Sequence, residues 1–193
     1  MKNKTLSKTL FIVSSSEFPI YRLQFKDSLN TMLKHLSLDY IECLSWRDDG
    51  VFKQGYSFLD TLVKMPPNYV VVLVTPDDTA VIKGKEYIIP RDNVVFEYGL
   101  FLGKLGLDKT FFVTPKNTPD LQIMSDLKGI STVRYRFSPN AGPDQAKEDL
   151  LEAVSTISIC IYQMERSDME SQEAAELKPT NPLIPPKTKI YFP

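Results

Sequence analysis

Short apolar runs alternate along the chain with longer segments in which apolar residues recur every three or four positions. That alternation marks a parallel sheet whose strands are joined by crossover helices. The runs predict strands over about Thr9–Val13, Tyr40–Leu44, Tyr69–Thr75, Thr110–Val113 and Ser131–Arg134. Tyr69–Thr75 (YVVVLVT) is apolar at nearly every position, as expected of a central strand covered on both faces. Helices are predicted over about Ile20–Leu36, with Leu23, Leu29, Met32, Leu33 and Leu36 on one side, and over about Tyr56–Lys64, closed by Pro66 and Pro67. A third lies within residues 90–106, opened by Asp92 or Asn93, and a fourth spans about Pro143–Met164, with Leu150, Leu151, Val154, Ile157 and Ile161 as its stripe. The stretch from Pro76 to Pro90 reads as a loop. Five strands connected in this way imply an α/β, flavodoxin-like doubly wound sheet of order 2-1-3-4-5 with helices on both faces.

Length and composition add boundaries. The 193 residues leave room for one domain of about 150 residues and an extension. After about Arg166 the sequence turns polar, and residues 179–193 hold five of the fourteen prolines. The reading is a domain over 1–165 and a semi-extended linker over 166–193, toward a module that this sequence lacks. The ending TKIYFP is apolar again, either the first strand of that module or a surface strap.

The net charge is −1 and the lysines and arginines are scattered, so there is no nucleic-acid footprint. Cys43 and Cys160 fit neither a metal pair nor a disulfide framework, which points to a reducing cytoplasm. No apolar run approaches the roughly 20 residues of a membrane span. The basic N-terminus leads into an apolar run too short for a signal peptide and reads as the first strand.

In a doubly wound sheet, ligands bind at the carboxyl ends of the strands, near the switch in strand order. Four segments fall there: Ser14-Ser15-Ser16-Glu17, Trp46-Arg47-Asp48-Asp49, Thr75-Pro76-Asp77-Asp78, and Arg91-Asp92-Asn93. The serines either cap the first helix only, or also leave backbone N–H groups for a polar ligand. Trp46 is either a stacking wall or a core anchor. The eight glycines form no phosphate loop and no G-x-G-x-x-G. Gly99 and Gly103 read as positions of close helix packing. The one histidine, His35, lies away from the strand ends, which argues against His-based triads and zinc sites.

Carboxylates remain: Glu97, Asp77, Asp78 and Asp60. Glu97 is the most constrained, because its helix is otherwise apolar and no Lys or Arg stands three or four residues away. It lies either on a wet stripe with Asn93 and Lys104 or at the edge of a pocket, with Asn93 one turn before it pointing the same way. Burial among Val and Phe would raise its pKa, and a nearby Arg91 would lower it. A carboxylate at a pocket rim can bind a ribose diol and stabilise an oxocarbenium-like transition state, as acids do in glycosidases.

The stretches LFIVSSSE, the Trp46 loop, LDTLVK, VTPDD and above all PRDNVVFEYGLFLGKLG resemble the bacterial TIR-like domains of antiphage (CBASS) effectors, most closely the N-terminal TIR domain of bacterial TIR–STING proteins. The resemblance covers about residues 8–162. It implies a TIR fold and a cytoplasmic NAD+ glycohydrolase that breaks the nicotinamide–ribose bond, with NAD+ as substrate rather than cofactor and no metal. It also implies partners: a cyclic-nucleotide sensor domain in cis or trans, and other TIR domains that self-associate into a filament. The family's catalytic glutamate falls on Glu97. Ser14 and Ser15 match the pocket loop, while Asp77, Asp78 and Arg91 match motif positions near it. Where many TIR domains carry W-x-x-x-E, Asn93 stands at the first position, so stacking would come from elsewhere, such as Trp46. The loop at about Asp48–Gly55 would complete a neighbour's site, making the isolated domain a weak enzyme.

Two other functions share this topology. A non-catalytic TIR interaction module would bind other TIR domains, with or without holding a nucleotide that it does not cleave, and the retained Glu97 speaks against it. A phosphotransfer receiver would need an acidic pair after strand one, a phospho-accepting Asp at the end of strand three, to which Asp77 is close, and a Lys after strand five. SSSE supplies one acid, and Arg134 and Arg136 stand where the Lys would be.

Overall fold

Five of the apolar runs form one parallel sheet, in the order anticipated. The structure, a computed structural model, describes residues 7–48, 51, 58–64, 67–123, 127 and 132–176. The strands of the sheet are β1 (Lys8–Ser14), β2 (Ile41–Ser45), β3 (Tyr69–Leu73), β6 (Thr110–Pro115) and β7 (Val133–Tyr135), in the order β2-β1-β3-β6-β7. Between β3 and β6 the chain adds β4 (Asp78–Ile82) and β5 (Lys85–Ile89), an antiparallel pair outside that sheet. The helices are α1 (Pro19–His35), α2 (Phe58–Lys64), α3 (Asp92–Leu105) and α4 (Pro143–Glu176). The start read for α2 at Tyr56 and that of the last strand at Ser131 lie outside the described residues.

The register sets where ligand-binding loops emerge. β1 pairs with β2 from Lys8↔Ile41 to Ile12↔Ser45 and with β3 from Leu10↔Tyr69 to Ser14↔Leu73. The order reverses across β1 and β3, the place at which a doubly wound sheet binds its ligands over the strand ends. All five residues of β3 are buried, as its unbroken apolar run requires.

Side chains alternate between the two faces of the sheet. Phe11, Val13, Val70, Val72 and Phe112 pack with Val94, Tyr98 and Phe101 of α3. Tyr98 lies over Phe112 with ring centroids 4.4 Å apart. Tyr135 faces the opposite way, since it pairs with Pro115 while Phe112 faces α3, and its ring packs 5.6 Å from that of Tyr21 of α1. α1 and α3 therefore cover opposite faces.

Five local expectations change. The stretch read as a loop from Pro76 to Pro90 holds the β4–β5 hairpin. Its turn, Lys83-Gly84, has φ of 53° and 80°, the doubly left-handed turn that suits tight hairpins. The buried face of α1 is Tyr21, Arg22, Phe25, Leu29 and Leu33, and Leu23 is 45% exposed, because two aromatics rather than the leucine ridge fill the space against the sheet. On α4, Ala153 joins Leu150, Val154, Ile157 and Ile161 inside, and Leu151 faces out. Gly99 and Gly103 face open space, not the sheet.

The last change concerns the tail. The chain divides into two units, residues 1–162 and 163–193. Residues 166–176, expected to be extended, are helical. The segment is rich in Glu, Gln, Met and Ala, which favour helix, and carries an Arg166–Glu170 pair at 3.0 Å. The remaining tail, 177–193, lies outside the described residues.

Candidate active site

α3 begins beside the strand ends and runs back along the sheet. Val94, Glu97, Tyr98 and Phe101 form its buried face, so an acid lies where a core residue would be expected. Glu97 is only 3% exposed, whereas its neighbour Phe96 is 56% exposed. The wet-stripe reading is thereby excluded. Asn93, expected to point the same way, is exposed, and its N–H is held by the Asp92 carboxylate at 2.7 Å. Glu97 makes no hydrogen bond or ion pair to any described residue. Burial alone pushes its pKa up to about 7. The lowering expected from Arg91 does not occur, because that guanidinium is engaged elsewhere.

Arg91 stands at the N-terminal boundary of α3. It donates to Glu17 at 2.9 Å and to Asp78 at 3.4 Å, and thereby joins the loop after β1, the start of β4 and the helix. Ser16 Oγ is within 3.5 Å of the same guanidinium. None of the serines caps α1 through its side chain. The cap position is Phe18, followed by Pro19 at the first helical position, and among the described residues no side chain caps the helix start. The expected serine cap is replaced by a different contact: Ser15 Oγ lies 3.2 Å from Thr75 Oγ1 and accepts the Glu17 N–H at 3.3 Å.

Two polar groups in this region are buried without a partner. One is the Ser14 hydroxyl, and the other is the carboxylate of Asp77, both of whose oxygens are shielded from solvent. Burial raises the pKa of Asp77. The hydroxyls of Thr75 and Ser15 lie near enough to draw it back partway, although neither makes a well-formed hydrogen bond to it.

Trp46 leaves the end of β2 half-buried. It is anchored rather than free: its indole N–H donates to the Ser14 carbonyl at 3.2 Å, one side packs on the core, and Arg47 lies 4.0 Å over the ring. Asp48, two residues on, donates nothing and accepts much. Burial pushes its pKa up, but the hydrogen bonds from Lys26 and from Ser45 outweigh this and hold it below the usual value. Of the loop expected to complete a neighbour's site, residues 49, 50 and 52–55 lie outside the described residues.

The structure thus gathers Ser14, Ser15, Asp77, Asp78, Arg91 and Trp46 at the ends of β1, β2 and β3. It sets Glu97 in the second turn of α3 and leaves Asn93 at the surface. Sequence reasoning passed over Thr75 and Glu17 as individual partners, since nothing in the linear pattern pairs a residue with one 60 positions away. His35, at the end of α1, is exposed. A separate cavity of about 310 Å³, lined by Lys116, Arg136 and Glu152, contains none of these residues. Among the described residues no three His, Cys, Asp or Glu side chains are placed to hold a metal ion, and no helix is long and apolar enough to cross a membrane.

A family model described as the TIR domain of the CAP12/Pycsar effector protein matches residues 9–137. The chain is 32% identical over 161 residues to CD-NTase-associated protein 12 of Sphingobacterium faecium, an alignment covering 82% of this chain and 45% of that protein. It is 31% identical over 154 residues to the Pycsar effector protein PaPycTIR of Pseudomonas aeruginosa, covering 78% and 46%. A CD-NTase-associated protein 12 of a Lachnospiraceae bacterium is 38% identical over 114 residues, covering 58% and 35%. The chain spans about a third to just under half of the length of these relatives.

Proposed function

Because the chain belongs to the family of the CAP12/Pycsar effector TIR domain, we propose that it is an NAD+ glycohydrolase of antiphage defence, with Glu97 as its catalytic acid residue. The observation that carries this reading is the position of Glu97: a carboxylate 3% exposed, among apolar side chains, with no partner among the described residues. A group held at such a cost to folding is one that a ligand is built to satisfy.

The chemistry suits an unpaired carboxylate. Nicotinamide leaves NAD+ as a neutral base, so the leaving group needs no proton. The sugar carbon that loses it becomes oxocarbenium-like, and a carboxylate that accepts the ribose hydroxyls stabilises that positive charge in a site from which water is largely excluded. Water then adds to the sugar carbon and loses a proton, giving ADP-ribose and nicotinamide. The ionised form of Glu97 does this work. A pKa near 7 in the free protein falls when the positively charged nicotinamide riboside is bound beside it. Ser14, Ser15 and the N–H groups at the start of α1 line the approach, Arg91 fixes the loop geometry, and Trp46 forms a wall. The trigger is a cyclic-nucleotide sensor in cis or trans, of the kind associated with TIR–STING proteins, and TIR self-association in the cytoplasm completes the site.

The test is NAD+ consumption by purified protein at high concentration, with and without a crowding agent, beside Glu97→Ala and Glu97→Gln. Nicotinamide release abolished in both variants supports the hydrolase. Binding of NAD+ without turnover under every condition would favour the interaction module instead.

A further inference from the structure

The β4–β5 hairpin stands apart from the main sheet, and its two edges differ. Ile82 and Lys85 close the two-residue turn as a hydrogen-bonded pair, so the bonded pairs of the ladder are Ile82↔Lys85, Ala80↔Tyr87 and Asp78↔Ile89. The alternate residues, Thr79 and Val81 on β4 and Glu86 and Ile88 on β5, turn their backbone groups outward. On the β5 side this edge is covered. The Ile88 carbonyl accepts the Gln122 N–H at 2.8 Å, and Ile88 bridges to Leu121. On the β4 side, the N–H and C=O groups of Thr79 and Val81 meet no partner among the described residues.

An open edge is ordinarily blunted by a charge or a proline. From Thr79 to Ile82 the β4 edge has neither: the residues are Thr-Ala-Val-Ile, with Val81 72% and Ile82 45% exposed. Charge is confined to the two ends of the strand. It starts at Asp78, whose side chain is 42% exposed, and runs into Lys83 and Lys85 at the turn. When two such edges pair antiparallel, the acidic start of each lies beside the basic end of the other. The edge is therefore complementary to itself, which singles out a second copy over an unrelated peptide.

We infer that β4 pairs antiparallel with β4 of a second copy of this chain, about a two-fold axis at Ala80, and joins two hairpins into one four-stranded sheet. In that register Thr79 faces the partner's Val81, and Val81 faces the partner's Thr79. Each pair exchanges two backbone hydrogen bonds, so every outward group of the edge is satisfied. The two Ala80 residues stand opposite each other as a non-bonded pair, with Cα atoms about 4.5 Å apart. Five residues from each copy bury less than the roughly 1,000 Å² of a stable interface, so the contact forms at high local concentration rather than in dilute solution. It is separate from the loop expected to complete a neighbour's site and does not depend on the NAD+ reading.

The experiment is disulfide trapping of the full chain at high concentration, read on non-reducing gels. A Cys160→Ser background removes the partly exposed thiol and leaves only the buried Cys43. Ala80→Cys is expected to give a covalent dimer, because a non-bonded antiparallel pair holds two Cα atoms within disulfide reach. Glu86→Cys, exposed but one strand further from the axis, would lie about 14 Å from its counterpart and should give at least about fivefold less dimer. Val81→Pro removes an outward N–H, keeps the hairpin's own bonds, and should cut the Ala80→Cys dimer by about the same factor in a protein that still folds. Thr79→Lys combined with Val81→Lys sets like charges directly opposite across the pairing, and serves if the proline variant fails to fold. No dimer from Ala80→Cys, an equal yield from Glu86→Cys, or a yield undiminished in a folded blocking variant overturns the inference.

Discussion

The hydroxyls of Ser15 and Thr75, both almost fully buried, lie 3.2 Å apart and tie the residue after β1 to the segment after β3. This bond sits at the seam where the strand order reverses, the place where a doubly wound sheet would otherwise splay open. It also positions the two loops that carry Glu17 and Asp77.

Thr75→Val removes one partner, keeps the shape, and leaves the Ser15 hydroxyl buried and less well satisfied. The expected cost is about 1–2 kcal/mol, and the melting temperature should fall by roughly 2–6 °C. Ser15→Ala combined with Thr75→Val should cost less than the two single changes together. Strict additivity in thermal melts would mean that the two hydroxyls do not act as a pair.

Glu97→Gln should stabilise the protein, increasingly so as pH rises. The folded-state pKa of about 7 exceeds the ordinary value of 4.5, so between these pH values the folded state holds the proton more tightly than the unfolded state. The wild type therefore loses stability as pH climbs through this window, by about 3 kcal/mol above pH 7, and regains it below 4.5. Glutamine does not titrate. Urea denaturation at pH 5 and pH 8 should show the variant's advantage growing between the two; a constant difference would contradict the buried, unpaired carboxylate.

The same group predicts the pH dependence of turnover. If the ionised carboxylate is the working form, kcat/KM for NAD+ should rise with pH and level off above about 7. A rate that falls with pH over this range would assign the work to the protonated acid.

The Tyr21 hydroxyl donates to Asp149 Oδ2 at 2.7 Å and accepts the Ser138 N–H at 2.7 Å, which joins α1, the loop after β7 and α4. Burial, reinforced by the Asp149 hydrogen bond, pushes its pKa up to about 12, so it stays neutral and keeps its proton for the carboxylate. Tyr21→Phe leaves a buried carboxylate oxygen and a backbone N–H without a partner. The cost should be about 2–3 kcal/mol in denaturant titration, with little change in the affinity for NAD+. A loss below about 0.5 kcal/mol would show that water replaces the hydroxyl.

Much of the fold was legible in the linear pattern. An unbroken β-branched run such as Tyr69–Leu73 fits a strand covered on both faces, and five strands alternating with helices fit the doubly wound order. The hairpin at Asp78–Ile89 was hidden because its strands are short and half-exposed, although Lys83-Gly84 was a usable turn signal. The helical continuation to Glu176 was hidden because a polar helix and a polar linker have similar compositions.

Glu97 could be singled out from sequence alone, as an acid without a helical partner in an apolar segment. Its burial could not. Val94, Val95, Phe96, Tyr98, Leu100, Phe101 and Leu102 nearly encircle α3, so helical period left several rotations open. Packing chose among them: Tyr98 against Phe112 and Phe101 against Phe11 turned Glu97 inward and Phe96 out to solvent. The partners of Arg91 and the isolation of Asp77 were likewise set by which strand ends became neighbours. The sequence by itself determined which residues could do chemistry, because side-chain type and local spacing are linear properties. Which of them ended up buried, paired or left without a partner was decided by contacts between distant segments, and only the tertiary structure contains those.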